Sequence, residues 1–275
     1  MRLPGSEKVI VGYDLGNKYA QISCYVTGSE EEIRTLSSVA GSSVYTIPLA
    51  LSKRQGVNQW FYGSEAIRYA GEEEGILVEN LLKLARDGEP VQIDGAPIDP
   101  VALLTLFLKR SLGLLSQVTN TERIGALMIT CEELDHRMLE VLTAATEGLH
   151  LKTDQICFQS HVESFYYYNL YQPEELWRHK TILCEYGDAS IRTYCMECNR
   201  HTTPVVAYME EREFPFPVPE SDEKMQEIAK KLCENQMISS VYLIGEAFSR
   251  DWMKESLRYL CCLLYTSDAA DDSLR

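Results

Sequence analysis

Residues 9–26 read VIVGYDLGNKYAQISCYV. Apolar and β-favouring residues flank Gly16, Asn17 and Lys18, so the stretch reads as two strands around a tight turn. Asp14 stands inside the first strand, two positions ahead of Gly16. A tight turn at the end of a twisted hairpin points backbone N–H groups outward. Glycine there lets the backbone approach a ligand and take positive φ. Such a nest of donors suits a phosphate, and a carboxylate beside it suits magnesium or its waters. The plainer reading is an aspartate that closes a turn at a strand end.

The rest of the chain sets the class. It has 275 residues, 45% of them hydrophobic, enough for one large domain or two lobes. The net charge of −15 and a pI of about 4.8 argue against nucleic acid and anionic membranes as partners. No apolar run has the length to cross a bilayer, and the opening MRLPGSEKVIVGYD has no signal-peptide core. Nine cysteines, an odd number without framework spacing, lead us to expect a reducing cytoplasm. The last 15 residues read CCLLYTSDAADDSLR, and residues 262–271 back-translate to a transposon adapter used in library preparation. The expectation is that native sequence stops near Cys261, that 262–275 is an adapter-derived tail, and that the rest of a second lobe is missing.

Between these ends the pattern alternates. EEIRTLSSV, VYTIPLAL and NQWFYG read as strands, and SEAIRYA as a helix start capped by Ser64. ILVENLLKLARDG reads as a helix stopped by Gly88, and VALLTLFLKRSLGLL as a buried helix with Asp99 as cap and Pro100 in first position. RIGALMIT is a strand; EELDHRMLEVLTAATEGL is a helix with acids in its first turn and Gly148 after it. DQICFQS and HVESFYYYNLYQ follow as strand and helix.

The opening pattern then returns. TILCEYGDASIRTYCME is again strand, acid, glycine, turn and strand, carrying Glu185, Gly187 and Ser190. A polar, proline-rich stretch follows (TTPVV, then FPFPVPE), then a capped helix, SDEKMQEIAKKLCENQ. SSVYLIGEAFSRDWMKESLRYLC reads as strand, glycine turn at Gly245 and Glu246, and a helix capped by Ser249. This order is an α/β architecture of two related halves, 1–179 and 180–261.

These motifs together resemble the actin/hexokinase/70-kDa heat-shock ATPase superfamily, with its ribonuclease H-like, two-lobed, actin-like fold. DLGNKYAQIS resembles the first phosphate loop, EYGDAS the second, and LIGEAFSRDW the glycine turn that holds adenosine. IPLAL with FYGSEA, and the run from RIGALMIT to the tyrosine-rich helix, are similar to the chaperone branch, so the likeness covers residues 8–261. The resemblance implies ATP and magnesium in a cleft between lobes, with Asp14 holding magnesium through water. Gly16, Asn17 and Lys18 would cradle phosphate, Glu185, Gly187 and Ser190 would face it from the second lobe, and Gly245 and Glu246 would approach adenosine.

Departures bear on activity. Glu185 replaces the second loop's aspartate, and Asp188 and Ala189 stand where two glycines are expected. The glutamate that positions the attacking water falls near Ser160, with Glu163 about one turn away. No lysine takes the phosphate-facing role, so no catalytic residue is assigned and hydrolysis is expected to be slow or absent. The expected function is a cytoplasmic, chaperone-like nucleotide switch acting on a protein partner or client. The alternative is a pseudo-ATPase scaffold that binds no nucleotide, and a small-molecule kinase lacks a candidate base. Cys195, Cys198 and His201 offer at most three zinc ligands, and as strand residues the two cysteines face opposite ways. Tyr166, Tyr167 and Tyr168 read as a helix interface and its rim.

Overall fold

The computed structural model describes residues 8–30, 32–72, 75–187, 190–216, 221–234, 236–245 and 251–259. The chain is mixed α/β and divides into two units, residues 1–161 and 162–275. The division read from sequence, 179/180, lies beyond the tyrosine-rich helix. That helix buries Phe165 against Leu183, Tyr194 and Met196, and so packs with the second unit. The expected tail, 262–275, lies outside the described residues.

Unit 1 opens with the hairpin β1 (Val9–Leu15) and β2 (Tyr19–Val26). Val9, Val11, Tyr13 and Leu15 alternate into the core, which sets the register, because a one-residue slip would turn all four outward. Two short strands, β3 (Arg34–Thr35) and β4 (Ile47–Pro48), pair along β2. Of the strand expected over EEIRTLSSV, Arg34 and Thr35 form β3, and Leu36 N–H donates to the Ile22 carbonyl. A small sheet follows, β5 (Leu51–Arg54), β6 (Trp60–Tyr62) and β7 (Gly75–Val78), enclosing α1 (Gly63–Glu72). Two readings are corrected here. Ser64 lies inside α1 rather than capping it. Ile76 and Val78 are not helical but pair with Lys53 and Leu51, because the extended neighbour gives these β-branched side chains a ladder. The helix begins only at α2 (Leu81–Asp87), and Gly88 ends it at φ 78 with its N–H on the Leu84 carbonyl.

After the ribbon β8 (Val91–Ile93) and β9 (Ala96–Ile98), α3 (Pro100–Leu112) starts as expected, the Asp99 carboxylate accepting from Val101 N–H at 2.9 Å. Then β10 (Ile124–Cys131) runs parallel to β1, α4 (His136–Glu147) crosses back, and β11 (Ile156–Ser160) runs parallel to β10. Asp135 caps α4 through Met138 N–H, so Glu132 and Glu133 precede the helix instead of filling its first turn. The sheet order is β11-β10-β1-β2-β3. Its buried face shares one apolar cluster with Leu104, Phe107 and Leu108 of α3 and Val141 and Leu142 of α4. Each such side chain contributes about 1.5–3 kcal/mol.

Helix α5 (His161–Tyr171) leads into unit 2. There β12 (Lys180–Tyr186), β13 (Ser190–Asn199) and β14 (Val206–Pro215) form an antiparallel meander, and β15 (Ile238–Ile244) lies parallel to β12, giving the order β14-β13-β12-β15. The proline-rich stretch thus contains a strand, β14, that its polar composition conceals; it is an edge, where alternate residues meet water. On one face, α6 (Asp222–Cys233) buries Met225, Ala229 and Leu232; on the other lies Phe165 of α5. Ser221 makes no side-chain cap. Asp222 instead accepts from Glu255 and Ser256 N–H, capping the helical residues 254–259; Ser249, expected in that role, lies outside the described residues. Among the described residues no helix is long and apolar enough to cross a membrane.

Candidate functional site

The β1–β2 turn closes where Gly16 N–H donates to the Tyr19 carbonyl at 2.9 Å. A Cβ on residue 16 would sit 2.9 Å from that same oxygen, so close approach within the hairpin demands glycine. Gly16 does not take the positive φ that glycine allows at such a turn, so its role here is the close approach alone. Leu15 faces the core, which puts its neighbour Asp14 on the opposite side of the sheet.

Asp14 is set where three parallel strands end together. It is in register with Thr130 of β10, which is in register with Gln159 of β11. Thr130 Oγ1 donates to Asp14 Oδ1 at 2.9 Å, and His161 Nε2, on the residue following β11, lies 2.8 Å from the same oxygen. The Asp14 side chain is 49% exposed and that of His161 16%. Oδ2 has no partner among the described residues, so the carboxylate is fixed through one oxygen and open through the other. Carboxyl ends of parallel strands are where α/β sheets collect ligands.

The turn is tied to its surroundings through one side chain and one carbonyl. Asn17 Nδ2 donates to Glu132 Oε2 at 2.9 Å, and the Lys18 carbonyl accepts from Leu49 N–H. Behind the turn a cavity of about 160 Å³ is lined by Leu15, Asn17, Arg86, Cys131, Glu132 and Glu133, among others. Arg86 pairs with Glu133 at 3.3 Å and with Asp135, and these carboxylates raise its pKa. Burial, then the negative charge of Asp14, pushes the Cys131 thiol up to about 11, so it stays protonated and is no nucleophile at neutral pH. Among the described residues no group of three or more His, Cys, Asp or Glu is placed to hold a metal ion.

Unit 2 repeats this turn. Gly187 N–H donates to the Ser190 carbonyl at 3.0 Å, and a Cβ on residue 187 would meet that oxygen at 3.1 Å. Glu185 occupies the position of Asp14: each lies two residues before the glycine, with Asp14 opposite Gln21 and Glu185 opposite Arg192. The parallel neighbour β15 ends at the same edge, where Gly245 takes φ 92. A Cβ there would fall 2.3 Å from the Tyr186 carbonyl oxygen, so only glycine fits. Unit 2 therefore gathers Glu185, Gly187, Ser190 and Gly245; Asp188, Ala189 and Glu246 lie outside the described residues.

Sequence reasoning missed Thr130, His161 and Glu132. Thr130 and Glu132 flank the end of RIGALMIT, and His161 follows DQICFQS directly. Their signal was position just at or past a strand end. Cys195 and Cys198 lie on opposite faces, as their spacing requires, one in each apolar cluster of unit 2. Tyr166 donates to the Val205 carbonyl at 3.3 Å, while Tyr167 and Tyr168 are exposed.

The family model described as "Family of unknown function (DUF5716) C-terminal" matches residues 32–262, and the chain belongs to that family. All described residues of unit 2 fall within that stretch; the β1–β2 turn precedes it. The chain has no match among curated proteins.

Proposed function

We propose that the protein is an ATP-binding, chaperone-like switch of actin-like, ribonuclease H-like fold, acting in the cytoplasm on a protein partner, with slow or absent hydrolysis. The observation that carries this reading is the repeated hairpin. Both units place an acid two residues before a glycine whose N–H binds the carbonyl three residues on, at 2.9 and 3.0 Å. Both set that hairpin beside a parallel strand, in the orders β3-β2-β1-β10 and β14-β13-β12-β15. Duplicated strand order with duplicated turns supports the two-lobed ATPase fold; free thiols at the seven described cysteines support a reducing compartment.

The donor set at the first turn fits magnesium held through water. Thr130 and His161 fix Asp14 through Oδ1, and Oδ2 is left for a metal-bound water. Bound magnesium would neutralise phosphate charge beside this acidic turn. In this reading phosphate would lie against the backbone of the turn at Gly16, Asn17 and Lys18, with donors other than the Gly16 N–H, which closes the hairpin on the Tyr19 carbonyl, and Glu185, Gly187, Ser190 and Gly245 are the counterparts in unit 2. Glu132 beside Asn17 adds negative charge where phosphoryl transfer needs positive, which argues for slow turnover. The same bond favours the second reading, a pseudo-ATPase scaffold, because the Asn17 amide is already spent on a carboxylate.

A thermal-shift titration with magnesium and ATP tests the first reading. A binder gains about 2.7 kcal/mol at a hundredfold excess over Kd. The wild type should shift, and Asp14→Ala should shift much less. No shift in either at millimolar ATP overturns nucleotide binding and leaves the scaffold.

A further inference from the structure

At the amino-terminal end of β12 and β15, away from Gly187 and Gly245, the second unit holds a concave surface of about 700 Å³. Its lining includes Arg178, Lys180, Glu197, Arg200, Tyr208 and Met237, with His179 and His201 beside them. The charge is against the trend of the chain. Acids outnumber Lys and Arg by 41 to 26 overall, yet here three cations face one carboxylate. Arg178 is half-buried and has neither a hydrogen bond nor an ion pair among the described residues. Lys180 Nζ stands 3.9 Å from Glu197 Oε2, the outer limit of an ion pair, and Arg200 is held by Glu174. A half-buried arginine with no counter-charge among the described residues, in a chain of net charge −15, points to an anion from outside.

The rest of the surface is apolar. Tyr208 is 69% and Met237 57% exposed, and Val206 lies beside Tyr208 on the same face of β14. The register explains why this face is bare. Glu197 pairs with Tyr208, Asn199 with Val206, and Lys180 lies across from Glu197, all past the apolar positions Ile182 and Cys195 that share a cluster with α6.

We infer that this surface is a docking site for a short acidic peptide segment of a partner protein, two carboxylates meeting Arg178 and Lys180 and an aliphatic side chain lying on Tyr208 and Met237. The donors are side chains rather than a nest of amides, which suits separate carboxylates better than one phosphate. The distance from β12 to β14 is about 10 Å, the span of about three extended residues. The site stands apart from the glycine turns, and the inference does not rest on nucleotide binding.

The test is fluorescence polarisation on the full chain without nucleotide, using a fluorescein-labelled peptide of alternating glutamate and leucine. Its glutamine–leucine counterpart is the control. The acidic peptide should bind, with affinity falling as salt rises, and the control should not. Arg178→Gln with Lys180→Gln should weaken binding at least tenfold. Glu197→Gln, which removes the lining carboxylate, should strengthen it several-fold, a gain that misfolding cannot imitate. Equal binding of both peptides, or indifference to Arg178→Gln with Lys180→Gln, overturns the proposal. Displacement of the peptide by millimolar inorganic phosphate at constant ionic strength overturns it in favour of a small anion. Self-association abolished by that double variant, without peptide binding, overturns it in favour of a second copy of the chain.

Discussion

His161 Nε2 and Asp14 Oδ1 lie 2.8 Å apart across 147 residues of sequence, and Thr130 Oγ1 donates to the same oxygen. The pair joins the end of β1 to the first residue after β11. A partly exposed pair of this kind carries coupling of about 1 kcal/mol. A double-mutant cycle with Asp14→Asn and His161→Asn, read by urea denaturation, should return that value; additive losses would show that the two side chains do not support each other.

Gly245 should be the least replaceable of the described glycines. It combines φ 92 with a Cβ position 2.3 Å from the Tyr186 carbonyl oxygen, whereas Gly56 has φ 70 and open space around it. Gly245→Ala should cost more than about 3 kcal/mol, from backbone strain plus a clash with main chain. Gly56→Ala should cost about 1 kcal/mol, from strain alone. Denaturation midpoints of the two variants give the comparison.

The buried centre of unit 1 separates packing from polarity. Phe107 is fully buried against an edge-on Tyr62, so Phe107→Ala should cost about 3–5 kcal/mol. Tyr13→Phe removes a 2.7 Å bond to Ser111 Oγ, but Ser111 keeps the Phe107 and Leu108 carbonyls. No buried hydroxyl is orphaned, and the loss should stay near 1 kcal/mol. Calorimetry on both variants tests the ranking.

Buried thiols shape the alkaline limb of stability. Burial raises Cys184 to about 12 and Cys233 to about 11. Their folded values lie above the unfolded value of about 8.5, so the unfolded chain releases these protons first. Stability is therefore fully present below about pH 8.5 and is lost as pH rises toward the folded values. Cys184→Ala should flatten this fall in denaturation curves between about pH 8.5 and pH 11. In the native protein at pH 8, iodoacetamide should modify the exposed Cys157 well before Cys184, read by peptide mass mapping.

Much of the local structure was legible. Asp99 and Pro100 mark the start of α3 and Gly88 the end of α2, because caps satisfy orphan backbone groups with residues a few positions away. Both hairpins were legible for the same reason. The strands β7 and β14 were not. Ile76 and Val78 sit in a run that also suits a helix, and only their ladder with Leu51 and Lys53 decides for strand. β14 is an edge strand with a half-polar pattern, visible only through its ten-residue pairing with β13.

The candidate sites divide along the same line. By itself the sequence determined the two turns, since a glycine N–H reaching the carbonyl three residues on is a local event. It also determined that Asp14 and Glu185 stand two residues before those glycines. Only the tertiary structure decided what surrounds the acids. Thr130 and His161 reach Asp14 because β1, β10 and β11 are parallel neighbours in one register, and Gly245 meets Tyr186 because β15 lies beside β12. Parallel neighbours are joined through long crossovers, so the register that brings such residues together comes from how the sheet and its helices pack, not from nearby sequence.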